Sequence, residues 1–174
     1  LSAISTLRQQ NPLERGSSNL LHCDMSKIEA DELSKTAGPI KAELHRHLEL
    51  CMRPETIWEL APQFGIPLKS QQDFQDRFMI LEPMNDLGSV LNKFLDTQRL
   101  LARPDIIERV AYEACVDAYK NEGVRILELR YAPTFIQQGH RLTFDDIHEA
   151  ILAGVARAEI EYPIAVGLIC IIQR

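Results

Sequence analysis

Two apolar-rich runs, VRILELRYAP over residues 124–133 and IAVGLICII over 164–172, are joined by a stretch whose apolar residues repeat with helical spacing. In that stretch Ile147, Ala150, Ile151, Gly154, Val155 and Ala158 fall three or four apart, on one face of a helix. Strands joined through a helix of this length pair in parallel, because antiparallel neighbours need only a short turn. Both runs are more apolar than a half-exposed strand, as expected where helices cover a sheet. A third strand candidate, KAELHRHL at 41–48, comes earlier and is followed by further helical segments. Strand, helices, strand, helix, strand predicts an α/β chain with a parallel sheet. Three strands cannot close a barrel, and a long apolar edge on the last of them invites aggregation. The sequence therefore reads as cut from a larger sheet.

Local signals place the helices between the strands. Pro54 opens PETIWELAPQFG, since proline suits the first helical turn, and Gly65 with Pro67 closes it. A polar link follows. In DLGSVLNKFLDTQRLL, the residues Leu87, Val90, Leu91, Phe94 and Leu95 share a helical face. Pro104 starts the next helix, with Ile107, Val110, Ala111, Ala114 and Ala118 on its apolar side, and Gly123 ends it. Thr143 and Asp146 have the spacing of a capping box, with aspartate for the usual glutamate. Residues 1–38 are polar, with no strong period and one candidate helix at Ser26–Leu33; they read as an extension.

Composition narrows the function. A net charge of −6 gives no basic face for nucleic acid. No apolar run approaches the roughly 18 residues that span a bilayer, and residues 1–19 lack the apolar centre of a secretory signal. The four cysteines, Cys23, Cys51, Cys115 and Cys170, lie far apart with no C-x-x-C among them. A disulfide framework is not expected, and a reducing cytoplasm is the default.

The chemistry-bearing motif is ELHRHLE, residues 43–49. Side chains two apart on a strand point the same way, which puts Lys41, Glu43, His45 and His47 on one face and Ala42, Leu44 and Leu48 on the other. Two imidazoles at that spacing can converge on a cation, and zinc suits imidazole nitrogen. Their place at the C-terminal end of a strand is where α/β folds keep their active sites. Solvated histidines are the alternative. Zinc wants three or more protein ligands, and His22, His140 and His148 have no partner at ligand spacing.

From residue 39 onward the sequence resembles the N-terminal part of the adenosine deaminase family, a zinc-dependent branch of the amidohydrolase superfamily. The resemblance runs through PIKAELHRHLE, MRPETI, LNKF, RVAYEACVDAYKNEGVRILELRYAP and GLICIIQR, in order. It implies strands one to three of a (β/α)8 TIM-type barrel, with a helical insert after strand one and the barrel incomplete in this chain. Residues 39–174 would then be the N-terminal half of a metal-dependent deaminase barrel. The catalytic glutamate and histidine, and the remaining zinc ligands, would lie in a C-terminal half outside this sequence. No catalytic residue is expected within it.

The reaction implied is hydrolytic deamination of adenosine to inosine and ammonia, with Zn2+ as cofactor and a small purine nucleoside or base as ligand. His45 and His47 match the paired zinc ligands. Glu49, Val90, Leu91 and Phe94 match substrate-binding positions, although the last three also have the spacing of a core stripe. Adenosine-specific members usually carry aspartate and glycine where Glu49 and Leu50 stand, and glutamate there resembles adenine deaminases. Adenine, or another 6-aminopurine, is therefore a rival substrate, and a catalytically inert truncated barrel that only binds is the rival of another class. Glu43 and Glu128 are expected inside the barrel, neutralised by Arg130 with Lys41 or Arg174, because an isolated buried carboxylate is costly.

Overall fold

The computed structural model describes residues 40–84 and 86–172. The extension, with its candidate helix and His22 and Cys23, lies outside the described residues, as does Arg174. Three strands, β1 (Lys41–His47), β2 (Val124–Tyr131) and β3 (Ala165–Cys170), form one parallel sheet in the order β1-β2-β3. The helices are α1 (Pro54–Leu60), α2 (Gln71–Phe78), α3 (Leu87–Gln98), α4 (Pro104–Glu122), the short α5 (Pro133–Ile136) and α6 (Phe144–Glu161). These are the opening strands of a (β/α)8 barrel with the insert after the first.

Alternation along β2 builds the core. Leu127, Leu129 and Tyr131 are fully buried on the side covered by α4 and α6, while Ile126, Glu128 and Arg130 stay half-buried on the other. The predicted stripes of α4 and α6 are buried as the spacing required. Gly154 sets how closely these helices approach: a Cβ there would meet the Glu108 carbonyl oxygen at 2.3 Å. Gly123 ends α4 at φ 74°, a left-handed conformation that glycine adopts without penalty. The capping box of α6 forms in full, with Thr143 Oγ1 accepting from the Asp146 amide at 3.1 Å and the Asp146 carboxylate from the Thr143 amide at 2.8 Å.

Several expectations need correction. The link before α3 contains α2, capped by Ser70, which accepts from the Asp73 amide at 3.1 Å. The helix opened by Pro54 is α-helical only to Leu60 and continues as a 3-10 turn to Phe64, where Pro62 has no N–H to give. The apolar face of α3 is not core: Leu91 is 48% and Leu95 44% exposed. Leu44 is exposed too, rather than packed.

Candidate functional site

Strand β1 changes face along its length. Glu43 pairs with Leu127 but Arg46 with Leu129, so three residues of β1 advance over two of β2. Partners in a parallel ladder point to the same side of the sheet. Glu43 and Arg46 therefore share the helix-covered side with Leu127 and Leu129, whereas His47 pairs with Arg130 on the open side. The single face expected for Lys41, Glu43, His45 and His47 is broken by this extra residue, a bulge of the kind that re-aims side chains beside active sites.

Ion pairs follow the bulge. Arg46 binds Glu43 Oε2 at 2.7 Å and Glu122 Oε2, at the end of α4, at 2.5 Å. Burial works against its charge, but the hydrogen bonds to Glu122 and Glu43 outweigh that and raise its pKa. Arg46, not Arg130, is thus the partner of Glu43. Arg130 instead donates to the Leu44 carbonyl at 3.0 Å, and Lys41 to that of Glu122 at 3.0 Å. Among the described residues Glu128 makes no ion pair with Arg130.

His45 within the bulge and His47 past it converge. His45 Nε2 and His47 Nε2 are 3.3 Å apart, with ring centroids at 5.2 Å. Two nitrogens bound tetrahedrally to one zinc at about 2.0–2.1 Å would be about 3.3 Å apart, so the spacing and the donor type both fit that ion. Burial, then the neighbouring His45 and Arg130, push the His47 pKa down, which keeps the imidazole neutral and able to ligate. Among the described residues no third histidine, cysteine or carboxylate joins the pair to complete a metal site. His148 is engaged elsewhere: its Nδ1 meets the Tyr131 hydroxyl at 2.5 Å on the helix side, and its ring stacks on Phe144.

The turn after β1, Leu48–Leu50, fixes what surrounds the pair. Leu48 is fully buried, and the Cys51 thiol donates to the His47 carbonyl at 3.0 Å. Burial raises that thiol to about 12, so it stays protonated. Glu49 is turned inward and only 2% exposed. Its Oε1 accepts from the Ala132 amide at 2.7 Å; its Oε2 has no hydrogen-bond partner and lies 4.0 Å from His47 Nδ1. Burial raises the Glu49 pKa, against the pull of the Ala132 amide.

Helix α3 passes over this turn. Phe94 meets His47 edge to face, with ring centroids at 5.9 Å. Val90 and Phe94 are half-buried and Leu91 exposed, so this face of α3 is not filled by a core, and Phe94 is the residue of it that borders His47. Sequence reasoning missed Arg46 and Cys51 as the groups that brace β1. Spacing signalled neither: residues three apart on a regular strand face opposite sides, and only the bulge brings Glu43 and Arg46 onto one.

A family model described as adenosine deaminase matches residues 40–174. Among curated relatives, adenosine deaminase of Clostridium perfringens is 38% identical over 132 residues, covering 74% of this chain and 39% of its own. That of Plasmodium falciparum is 35% identical over 154 residues, covering 86% and 42%. The chain thus spans about two-fifths of the length of these relatives. In three dimensions it is similar to an amidohydrolase from Burkholderia ambifaria solved with bound Zn: TM-score 0.65, 30% identity, 75% of this chain and 35% of that one. An Arabidopsis thaliana N6-methyl-AMP deaminase shares the fold at TM-score 0.55 and 24% identity, covering 74% and 39%.

Proposed function

This chain belongs to the adenosine deaminase family, and on that premise we propose that it carries part of the site of a zinc-dependent hydrolase converting adenosine to inosine and ammonia. The observation that carries the reading is the 3.3 Å convergence of His45 Nε2 and His47 Nε2. Zinc, when held there, supplies the Lewis acidity that makes water nucleophilic near neutral pH.

The residues of this chain do the holding and the screening. Burial keeps His47 neutral and ready to ligate. Phe94 packs edge to face on His47 and, with Val90 and Leu91 on the same helix, offers an apolar wall to a flat purine. On this reading residues 39–174 are the N-terminal half of the barrel, residues 1–38 an extension, and the proton-transfer groups with the remaining ligands come from a C-terminal half. Adenine is the second reading, favoured by Glu49 and Leu50, where adenosine-specific members usually carry aspartate and glycine.

Zinc analysis of the full-length protein, followed by product formation from adenosine and from adenine, tests this. About one zinc per chain and inosine formation is the expected result. Turnover of adenine alone selects the second reading. A protein without zinc or turnover is an inert barrel, and the proposal fails.

A further inference from the structure

Resting on that zinc reading, the geometry points to Glu49 as the residue that orients His47, by accepting a hydrogen bond from its Nδ1 while Nε2 faces the metal. Three observations carry it. Glu49 is 2% exposed, so its place is within the protein and not at the mouth of the site. Its two oxygens have different surroundings: Oε1 is occupied by the Ala132 amide at 2.7 Å, tying the end of β1 to the end of β2, and Oε2 is buried without a partner. The polar group that Oε2 approaches is His47 Nδ1, at 4.0 Å, on the opposite side of the ring from the Nε2 that meets His45.

A tie between strands needs one carboxylate oxygen; the second, left unsatisfied in a buried place, is costly without a use. The 4.0 Å gap is about 1 Å longer than a hydrogen bond. Contacts of this kind are often long before the site is loaded. A histidine that gives its metal one nitrogen almost always donates the other N–H to a carboxylate, carbonyl or water, which fixes the tautomer and raises basicity. Glu49 is the carboxylate in that position. The substrate contact expected from the resemblance is the rival role for the same atom.

Glu49→Gln separates the two. The two N–H groups of Ala132 and His47 face different oxygens of Glu49, and an amide replaces one of those oxygens by an NH2 that cannot accept. In the full-length protein, zinc affinity measured by chelator competition is expected to weaken about 10- to 100-fold, with KM of the zinc-saturated enzyme unchanged. Wild-type zinc affinity in Glu49→Gln overturns the inference; with a raised KM it makes Glu49 a substrate contact, and with no change, a packing group. Should that variant not fold, the His47 tautomer of the zinc-free wild-type protein decides, read from long-range proton–nitrogen couplings. A proton on Nδ1 supports the role and a proton on Nε2 overturns it. A wild-type protein that takes up no zinc overturns the zinc reading together with this inference, whereas the other failures leave that reading standing.

Discussion

Thr56 of α1 donates to Glu113 of α4 at 2.9 Å, with both residues buried, and this bond holds the first helix of the insert against the barrel helix. Glu113 also accepts from Arg109 Nε at 3.0 Å and lies 3.8 Å from Arg53 Nη1. Glu113→Ala leaves a buried hydroxyl and two guanidinium groups without that acceptor. Breaking a buried pair costs about 3–5 kcal/mol, but the arginines are more than a third exposed at 34% and 40% and reach water. The expected loss is therefore about 2 kcal/mol, read from urea unfolding midpoints. Thr56→Val is expected to lose less, because Glu113 keeps Arg109. Equal losses would place the energy in the Thr56 bond alone.

Replacing Gly154 by alanine sets propensity against packing. Alanine favours a helix over glycine by about 1 kcal/mol. Here the new Cβ meets the Glu108 carbonyl oxygen at 2.3 Å and the Tyr112 amide nitrogen at 2.9 Å, both backbone atoms of α4. Backbone cannot swing aside, so α6 must move away. Net destabilisation of about 1–2 kcal/mol is expected, and a variant at least as stable as wild type would contradict the helix contact.

The N-terminus of α6 should respond to acid. Hydrogen bonds from the Thr143 hydroxyl, then its amide, hold the Asp146 carboxyl below its ordinary 3.8. A depressed carboxylate stabilises the fold above the unfolded value and loses that effect as pH falls through the folded one. Thr143→Ala removes the hydroxyl that caps α6 and is expected to lower stability near neutrality. The difference from wild type shrinks in acid, once Asp146 is protonated. Amide exchange in the first turn of α6, followed against pH, reads this directly.

Loss of either imidazole separates metal binding from folding. His45 is exposed and the His47 side chain 33% exposed, so neither supports the core. His45→Ala and His47→Ala are each expected to keep the wild-type circular dichroism and shift stability by about 0.5 kcal/mol or less. Zinc content should collapse, and activity should fall by more than the ~100-fold that outer-shell partners cost. Full zinc occupancy in either variant would remove the pair from the site.

Phe94→Ala tests the wall. The ring is half-buried and borders His47, so truncation should raise KM for the purine more than it lowers stability. The stability cost is expected near 1 kcal/mol, below the 3–5 kcal/mol of a fully buried phenylalanine. A large stability loss with unchanged KM would make α3 a core helix.

The parallel architecture and the buried stripes of α4 and α6 were legible because helical and strand periods differ and Pro54, Pro104 and Gly123 punctuate them. The motif order at ELHRHLE and RYAP was equally readable, and it named the histidine pair. Helix α2 was missed because its apolar residues are few; Phe74 and Phe78 carry it behind a Ser70 cap. The face of Glu43 was misjudged because a period of two assumes an unbroken ladder, and the slip before Arg46 is a tertiary event. The partners of Arg130 and Glu49 depend on how β1 and β2 end beside each other, which spacing along one strand does not encode.

The slip in β1 frees the two ends of the strand from a common face. Before it, Glu43 belongs to the scaffold that grips α4; after it, His47 belongs to the open side of the sheet. Deleting the extra residue, such as Leu44, would make the ladder regular, with Glu43 still opposite Leu127, Arg46 opposite Leu129 and His47 opposite Arg130. What would go with Leu44 is the carbonyl that accepts from Arg130 at 3.0 Å. The bulged residue is thus spare for register, and its backbone is what ties Arg130 beside the imidazoles.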